Sequence, residues 1–189
     1  MRTLSFATSQ SPTSGPHTHA VLDPLTRTSG NPYREVMIDD FRIRPIDLAD
    51  AGEVFTLQRA AFIEEAHLYD TVDTPALTQT FDELKAELAS NSGCVALVGS
   101  RMVGSVTAQM VGDVLRIGRL AVVPDMQGRG IGTRLLEAVE ARLDAVEATL
   151  FTGALSVANL RLYKRQGYIE THRVTLPEVE LVYLRKRLR

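Results

Sequence analysis

Arg119-Leu120-Ala121-Val122-Val123-Pro124-Asp125-Met126-Gln127-Gly128-Arg129-Gly130-Ile131-Gly132-Thr133-Arg134-Leu135-Leu136 reads as a strand, a glycine-rich loop and the first turns of a helix. The apolar, β-branched run ahead of the loop stops at Pro124 and Asp125. Beyond the loop, Ile131, Leu135, Leu136, Val139, Leu143 and Val146 recur at helical spacing. A strand handed to a helix through glycines leaves unpaired N–H groups at the helix's positive end, and glycine lets a ligand come close to them. That geometry favours a phosphate or pyrophosphate. Two common phosphate loops fail on spacing. The nucleotide P-loop needs Lys then Ser/Thr after its last glycine, whereas Gly132 is followed by Thr133 and Arg134. The dinucleotide fingerprint, begun at Gly128 and Gly130, meets Thr133 where its third glycine belongs.

What remains is Gln127-x-x-Gly130-x-Gly132, and a second segment lies downstream at Ser156-Val157-Ala158-Asn159-Leu160-Arg161-Leu162-Tyr163-Lys164-Arg165-Gln166-Gly167-Tyr168. Ser156 suits an N-cap and Gly167 a C′ position, bracketing a short helix. Asn159 and Tyr163 are four apart and share one face of it. The first pattern resembles the acetyl-coenzyme A loop of the GNAT (Gcn5-related N-acetyltransferase) superfamily, and Leu120–Pro124 resembles the strand before that loop. The second resembles the superfamily's other recurring segment, an Asn, then Leu-Tyr, then Gly-Phe, with Tyr168 in place of Phe. The resemblance spans roughly residues 40 to 189.

It implies a GNAT-like α/β fold, a mixed, largely antiparallel central sheet flanked by helices, with acetyl-CoA as acyl-donor cosubstrate. It also assigns residues. Leu120, Ala121, Val122, Gln127, Gly128, Arg129, Gly130, Ile131, Gly132, Thr133 and Asn159 would hold the cofactor, with Arg129 or Arg134 adding charge. Tyr163 would be the catalytic acid, and splayed backbone amides would stabilise the oxyanion. Many relatives place a glutamate base where this chain has Arg116, so the base stays open.

The chemistry agrees with the residue types. An alkyl amine of pKa ~10.4 is only about one part in 10³ neutral near pH 7, so a base helps. The leaving thiol has a pKa of about 8.5, and a phenol near 10 is a reasonable proton donor to it. Glu64, Glu65, Asp70 and Asp73 stand without a Lys or Arg between 64 and 73, which would attract a cationic amine; Glu64, Glu65 and Asp70 are the candidate acceptor residues. A solvated helix end is the competing reading.

Composition bounds the rest. The chain has 189 residues, 44% hydrophobic, enough for one core, and a net charge of −2 argues against a general nucleic-acid binder. Cys94 is the single cysteine and opens an apolar run, reading as a buried, inert thiol. No metal site is expected, no apolar run approaches a membrane span, and the cytoplasm is the default compartment. Residues 1–38, rich in Ser, Thr and Pro, should be disordered or loosely attached, leaving 39–189 as the catalytic domain. His17 and His19 there read as solvated polar residues.

Along the chain the pattern predicts a strand at Phe41–Pro45, a helix opened by Asp50, and a second helical pattern carrying Leu77, Phe81, Leu84 and Leu88. A three-strand meander, the loop and its helix, a strand at Ala148–Phe151, the Tyr163 helix and a closing strand at Val179–Leu184 follow. The expected activity is direct transfer of acetyl to a primary amine, of a small molecule first, with a protein N-terminus or lysine as the alternative acceptor. A non-catalytic acyl-CoA-binding module is the reading from another class, and a homodimer stays open.

Overall fold

The computed structural model describes residues 41–189; the N-terminal segment, with His17 and His19, lies outside the described residues. Strand β1 (Phe41–Pro45) carries Arg44, whose guanidinium donates two 2.7 Å hydrogen bonds to the Asp50 carboxylate. That partner holds the Asp50 carboxyl below its usual range and joins β1 to the start of α1 (Ala51–Tyr69). Asp50 therefore does not cap α1 with its side chain. Asp47 caps instead, closing a capping box around a 3-10 turn at Leu48–Asp50. Helix α1 turns Val54, Leu57, Gln58 and Ala66 inward.

The pattern read as one second helix is two. Helix α2 (Pro75–Thr78) stops at Gln79, whose ψ is 132°, and α3 (Phe81–Ser90) restarts behind a Thr80–Glu83 capping box. Of the apolar positions after the break, Leu84 and Leu88 are buried while Phe81 stays 41% exposed.

Strands β2 (Ser92–Val98), β3 (Arg101–Val111) and β4 (Val114–Val122) form the expected meander. With β5 (Glu147–Gly153), β6 (Ile169–Thr175) and β7 (Glu180–Arg187) they make one seven-stranded sheet in the order β1-β2-β3-β4-β5-β7-β6. Every pairing is antiparallel except β4 with β5. The last strand in sequence does not close the sheet. Strand β7 lies between β5 and β6, so its Val182 and Leu184 are buried, and the largely exposed β6 takes the edge. Cys94 is fully buried, which pushes its thiol pKa up.

Helix α4 (Ile131–Arg142) buries Ile131, Leu135, Leu136 and Val139. It ends at Arg142 because Leu143 is extended, φ −117° and ψ 135°, so the helical spacing of Leu143 and Val146 is not continued by the backbone. A Cβ on Gly104 would lie 2.8 Å from Leu135 Cδ1, 3.1 Å from the Ala121 carbonyl oxygen and 3.2 Å from Ile131 Cγ2. The missing side chain lets the first turn of α4 settle on β3 and β4. Gly104→Val should therefore overpack that contact and cost about 1–3 kcal/mol. A lower denaturant midpoint at unchanged m-value is the expected readout.

Candidate active site

Strands β4 and β5 pair over only three positions, Val114 with Glu147, Leu115 with Ala148 and Arg116 with Thr149. Beyond Arg116 they part, opening a wedge between the second half of β4 and the end of β5. Strand β4 is deformed just there. Ser105 faces Ala121 and Thr107 faces Gly118, so Arg119 and Leu120 together oppose Val106 in a β-bulge. Arg119 takes a left-handed φ of 53°, which a non-glycine residue adopts only when its surroundings hold it. Its guanidinium donates to Gln79 Oε1 at 3.0 Å and Gln58 Oε1 at 3.4 Å, and lies 3.5 Å from Glu87 Oε2. The sequence reading missed this bulge; a positive φ on arginine leaves no mark beyond the neighbouring Gly118.

The bulge leaves backbone groups facing the wedge. The Val123 N–H donates to the Val103 carbonyl at 3.0 Å, so alternation turns the peptide groups of Val122 away from β3. The Gln127 side-chain amide meets that Val122 carbonyl at 3.2 Å. A 3-10 turn at Pro124–Met126 follows, fixed by two hydrogen bonds of 2.7 and 2.8 Å between Arg101 and Asp125.

Gly128 and Gly130 have φ of 73° and 80°, and a Cβ on either would meet nothing within 4 Å. Gly130 is the N-cap of α4 and brings no side-chain cap; the first helical bond is Arg134 N–H to the Gly130 carbonyl at 3.1 Å. The N–H groups of Ile131, Gly132 and Thr133 thus have no helical acceptor, with the helix dipole behind them, next to the open space where Cβ atoms of Gly128 and Gly130 would stand. Arg129 is exposed beside this turn, and Arg134 extends over the Phe41 ring, 5.8 Å from its centre.

Helix α5 (Val157–Arg165) closes the other wall. A Cβ on Gly132 would lie 3.5 Å from Leu162 Cδ2 and 3.9 Å from Val122 Cγ2, so α4, α5 and β4 converge at that glycine. Ser156, Asn159 and Tyr163 share one face of α5. Asn159 Nδ2 is 3.4 Å from Thr152 Oγ1 on β5. Ser156 does not cap the helix with its side chain; its hydroxyl donates to Glu65 Oε1 at 2.8 Å. Tyr163 is buried and packs edge-on against Tyr168, ring centres 6.0 Å apart. Burial, and secondarily the Glu65 charge, push its phenol above the ordinary tyrosine range. Tyr168 donates to Glu140, whose other oxygen is 2.6 Å from Lys186.

The three acidic candidates separate. Glu65 reaches Ser156 and the surroundings of Tyr163. Glu64, one residue away on a helix of 3.6 residues per turn, is exposed, and Asp70 is exposed at the end of α1, where φ is 50°. One turn after Glu65, Tyr69 accepts the Leu155 N–H at 2.7 Å and lies so close over Gly153 that no Cβ would fit. Tyr69, Leu155, Leu176, Pro177 and Val179 line an open hollow of about 320 Å³ with Glu178 and Glu180 on its wall, Glu180 being paired with Arg173. Tyr69, Thr152 and Ser156 were not legible as site residues; only the i, i+4 spacing of Glu65 and Tyr69 hinted at one face. Arg116 is exposed at the last paired position before the wedge.

The family model described as "Acetyltransferase (GNAT) family" matches residues 53–168, more than half of the chain. The chain belongs to this family. Solved structures agree on the fold at low sequence identity. The PaiA N-acetyltransferase of Thermoplasma acidophilum, solved with coenzyme A, is 15% identical with a TM-score of 0.66, covering 78% of this chain and 99% of that one. The ribosomal-protein-S18-alanine N-acetyltransferase of Escherichia coli is 18% identical at TM-score 0.65, covering 79% and 94%. YncA of Salmonella typhimurium, solved with its cofactor acetyl-CoA, is 16% identical at TM-score 0.63, covering 79% and 95%. No curated protein matches the chain by sequence.

A phenol whose folded pKa is raised stabilises the protein fully below the free tyrosine pKa of about 10 and loses that contribution as pH rises through the folded value. Tyr163→Phe should thus leave the absorbance titration of the tyrosines near pH 10 unchanged. It should also reduce the alkaline fall in melting temperature.

Proposed function

We propose that this GNAT protein moves the acetyl group of acetyl-CoA directly to a primary amine of a small molecule in a ternary complex. One observation carries the reading: uncapped N–H groups at the start of α4 and the Val122 peptide turned into the β4–β5 wedge meet at Gly132, where α5, the helix that carries Tyr163, packs through Leu162. The donor's shape fits it. Amides of Gly128 to Thr133 would take the pyrophosphate, with Arg129 adding charge and Gln127 ordering the loop. Peptide groups from Leu120 to Val122 would run along the pantetheine arm, with Asn159 across from them. Acetyl-CoA supplies an activated acyl group as a thioester.

An N–H on the wedge side of β4 would receive the charge that develops on the thioester oxygen, already in place and needing no reorganisation. Tyr163, kept neutral by burial, is in its donor form throughout the working pH range and would protonate the departing sulfur. Glu64 and Asp70, exposed near the end of α1, would attract a cationic acceptor from solution without gripping it. The hollow beside Tyr69, at about 320 Å³, lies at the lower end of small-molecule pocket sizes, about 300–1,000 Å³, and would admit a small acceptor. No helix among the described residues is long and apolar enough to cross a membrane.

An amine and peptide library scanned for CoA release with acetyl-CoA as donor tests the reading. Turnover on peptides alone would transfer the acceptor to a protein N-terminus or lysine. Saturable acetyl-CoA binding without turnover would leave a non-catalytic binding module. Acetyl-CoA should raise the wild-type melting temperature, and Gly130→Val should abolish the shift, since a side chain there enters the space left for the pyrophosphate. Tyr163→Phe should lower kcat roughly 10- to 10³-fold at nearly constant KM for acetyl-CoA, the range of general-acid catalysis.

A further inference from the structure

The glutamate that many relatives use as base is absent at Arg116, yet one carboxylate does reach the catalytic surface. Glu65 projects from α1 toward the start of α5, where the buried Ser156 hydroxyl donates to its Oε1 at 2.8 Å. Glu65 Oε2 has no hydrogen-bond partner or cation among the described residues. Ser156 and Tyr163 are seven residues apart, two turns along one face of α5, so the hydroxyl that orients Glu65 and the phenol lie on the same stripe. On α1, Tyr69 sits one turn beyond Glu65 and forms a wall of the apolar hollow. Glu65 is therefore joined to the Tyr163 helix through Ser156, whose neighbour Leu155 lines the hollow, and lies one turn from Tyr69 on the hollow's wall.

We propose that Glu65 is the base of the transfer, and that its free Oε2 takes a proton from the ammonium of a primary alkyl amine whose apolar body occupies the hollow beside Tyr69. The proposal rests on the acetyl-transfer reading and supplies the residue that reading lacks.

The protons balance. Glu65 accepts one proton from the ammonium, and the neutral amine forms the C–N bond to the acetyl carbon. The nitrogen gives up its second proton to water as the C–S bond breaks, and Tyr163 protonates the sulfur. Glu65 then returns its proton to the phenolate, leaving amide, free thiol and one proton released. The coupling is favourable in sign. The Glu65 charge raises the Tyr163 pKa, so once Glu65 has taken its proton the phenol becomes a better acid, just when the thiolate needs one.

The test compares wild type, Glu65→Gln and Glu65→Asp with two probes of nearly equal shape. 2-Phenylethylamine is an ammonium at neutral pH, whereas O-benzylhydroxylamine arrives neutral. Glu65→Gln keeps an acceptor oxygen for Ser156, and acetyl-CoA thermal protection of each variant checks the fold and the donor site. In Glu65→Gln, kcat on 2-phenylethylamine should fall roughly 10²-fold, the lower end of general-base effects. On O-benzylhydroxylamine it should fall less than about tenfold, and Glu65→Asp should recover part of the loss. Calorimetry on the CoA-bound protein should show 2-phenylethylamine binding weakened roughly tenfold by Glu65→Gln, as expected for a lost charge-assisted contact, with O-benzylhydroxylamine binding little changed. Equal losses on both probes, or none, would overturn Glu65 as the base. Neither probe acetylated by a wild type that acetyl-CoA does protect would overturn the alkyl-amine assignment of the hollow. A wild type that acetyl-CoA fails to protect would sink the acetyl-transfer reading itself.

Discussion

The parting of β4 from β5 after three paired residues is the constraint on which the rest of the site depends. A continuous ladder would consume the N–H and C=O groups of β4 in pairing with β5, and no acyl donor could use them. Here the bulge at Arg119 and Leu120 bends β4 where its pairing with β5 has ended. A left-handed arginine costs on the order of 1–3 kcal/mol. The contacts of its guanidinium with Gln58, Gln79 and Glu87 hold it in place. Those partners come from α1, the α2–α3 junction and α3. The helices on that face therefore brace the strand as well as cover it.

The loop after β4 uses the same device at a helix end. A helix N-terminus is normally satisfied by a capping side chain, and two earlier turns of this chain have one, at Asp47 and at Thr80. Helix α4 has none. Its cap is Gly130 at φ 80°, and the space before its first turn stays open. Packing through Gly104 and Gly132 holds that turn against the sheet and α5, so stability comes from apolar contact behind the turn while its polar end faces outward.

The sequence made the loop, the two helices beside it and most strands readable because each has a local signal: glycines, a period of 3.6 or 2, a capping residue. The fold class and the acetyltransferase family followed from the two motifs. What escaped was non-local. Whether Leu77 to Leu88 formed one helix turned on Thr80 capping a fresh start. The place of β7 inside the sheet turned on pairing partners remote in sequence. Ser156 looked like a cap because its chain position suits one, but the approach of Glu65 from α1 gave its hydroxyl another acceptor. The acidic group from 64 to 73 was visible as composition. Only the helix geometry separates Glu65, which reaches Ser156, from Glu64 and Asp70, which stay in solvent.

On the proposed function the donor lies on the wedge side of β4 with its pyrophosphate on the first turn of α4. Titrating coenzyme A into isotope-labelled protein while following backbone amide resonances addresses it residue by residue. Large shifts are expected at Val122 and at Gly130 to Thr133, with downfield movement of the amides that gain an anionic acceptor, and small changes elsewhere in the sheet. Unshifted resonances at these positions, with perturbations gathered instead around Arg185 to Arg187 at the other end of β7, would contradict it.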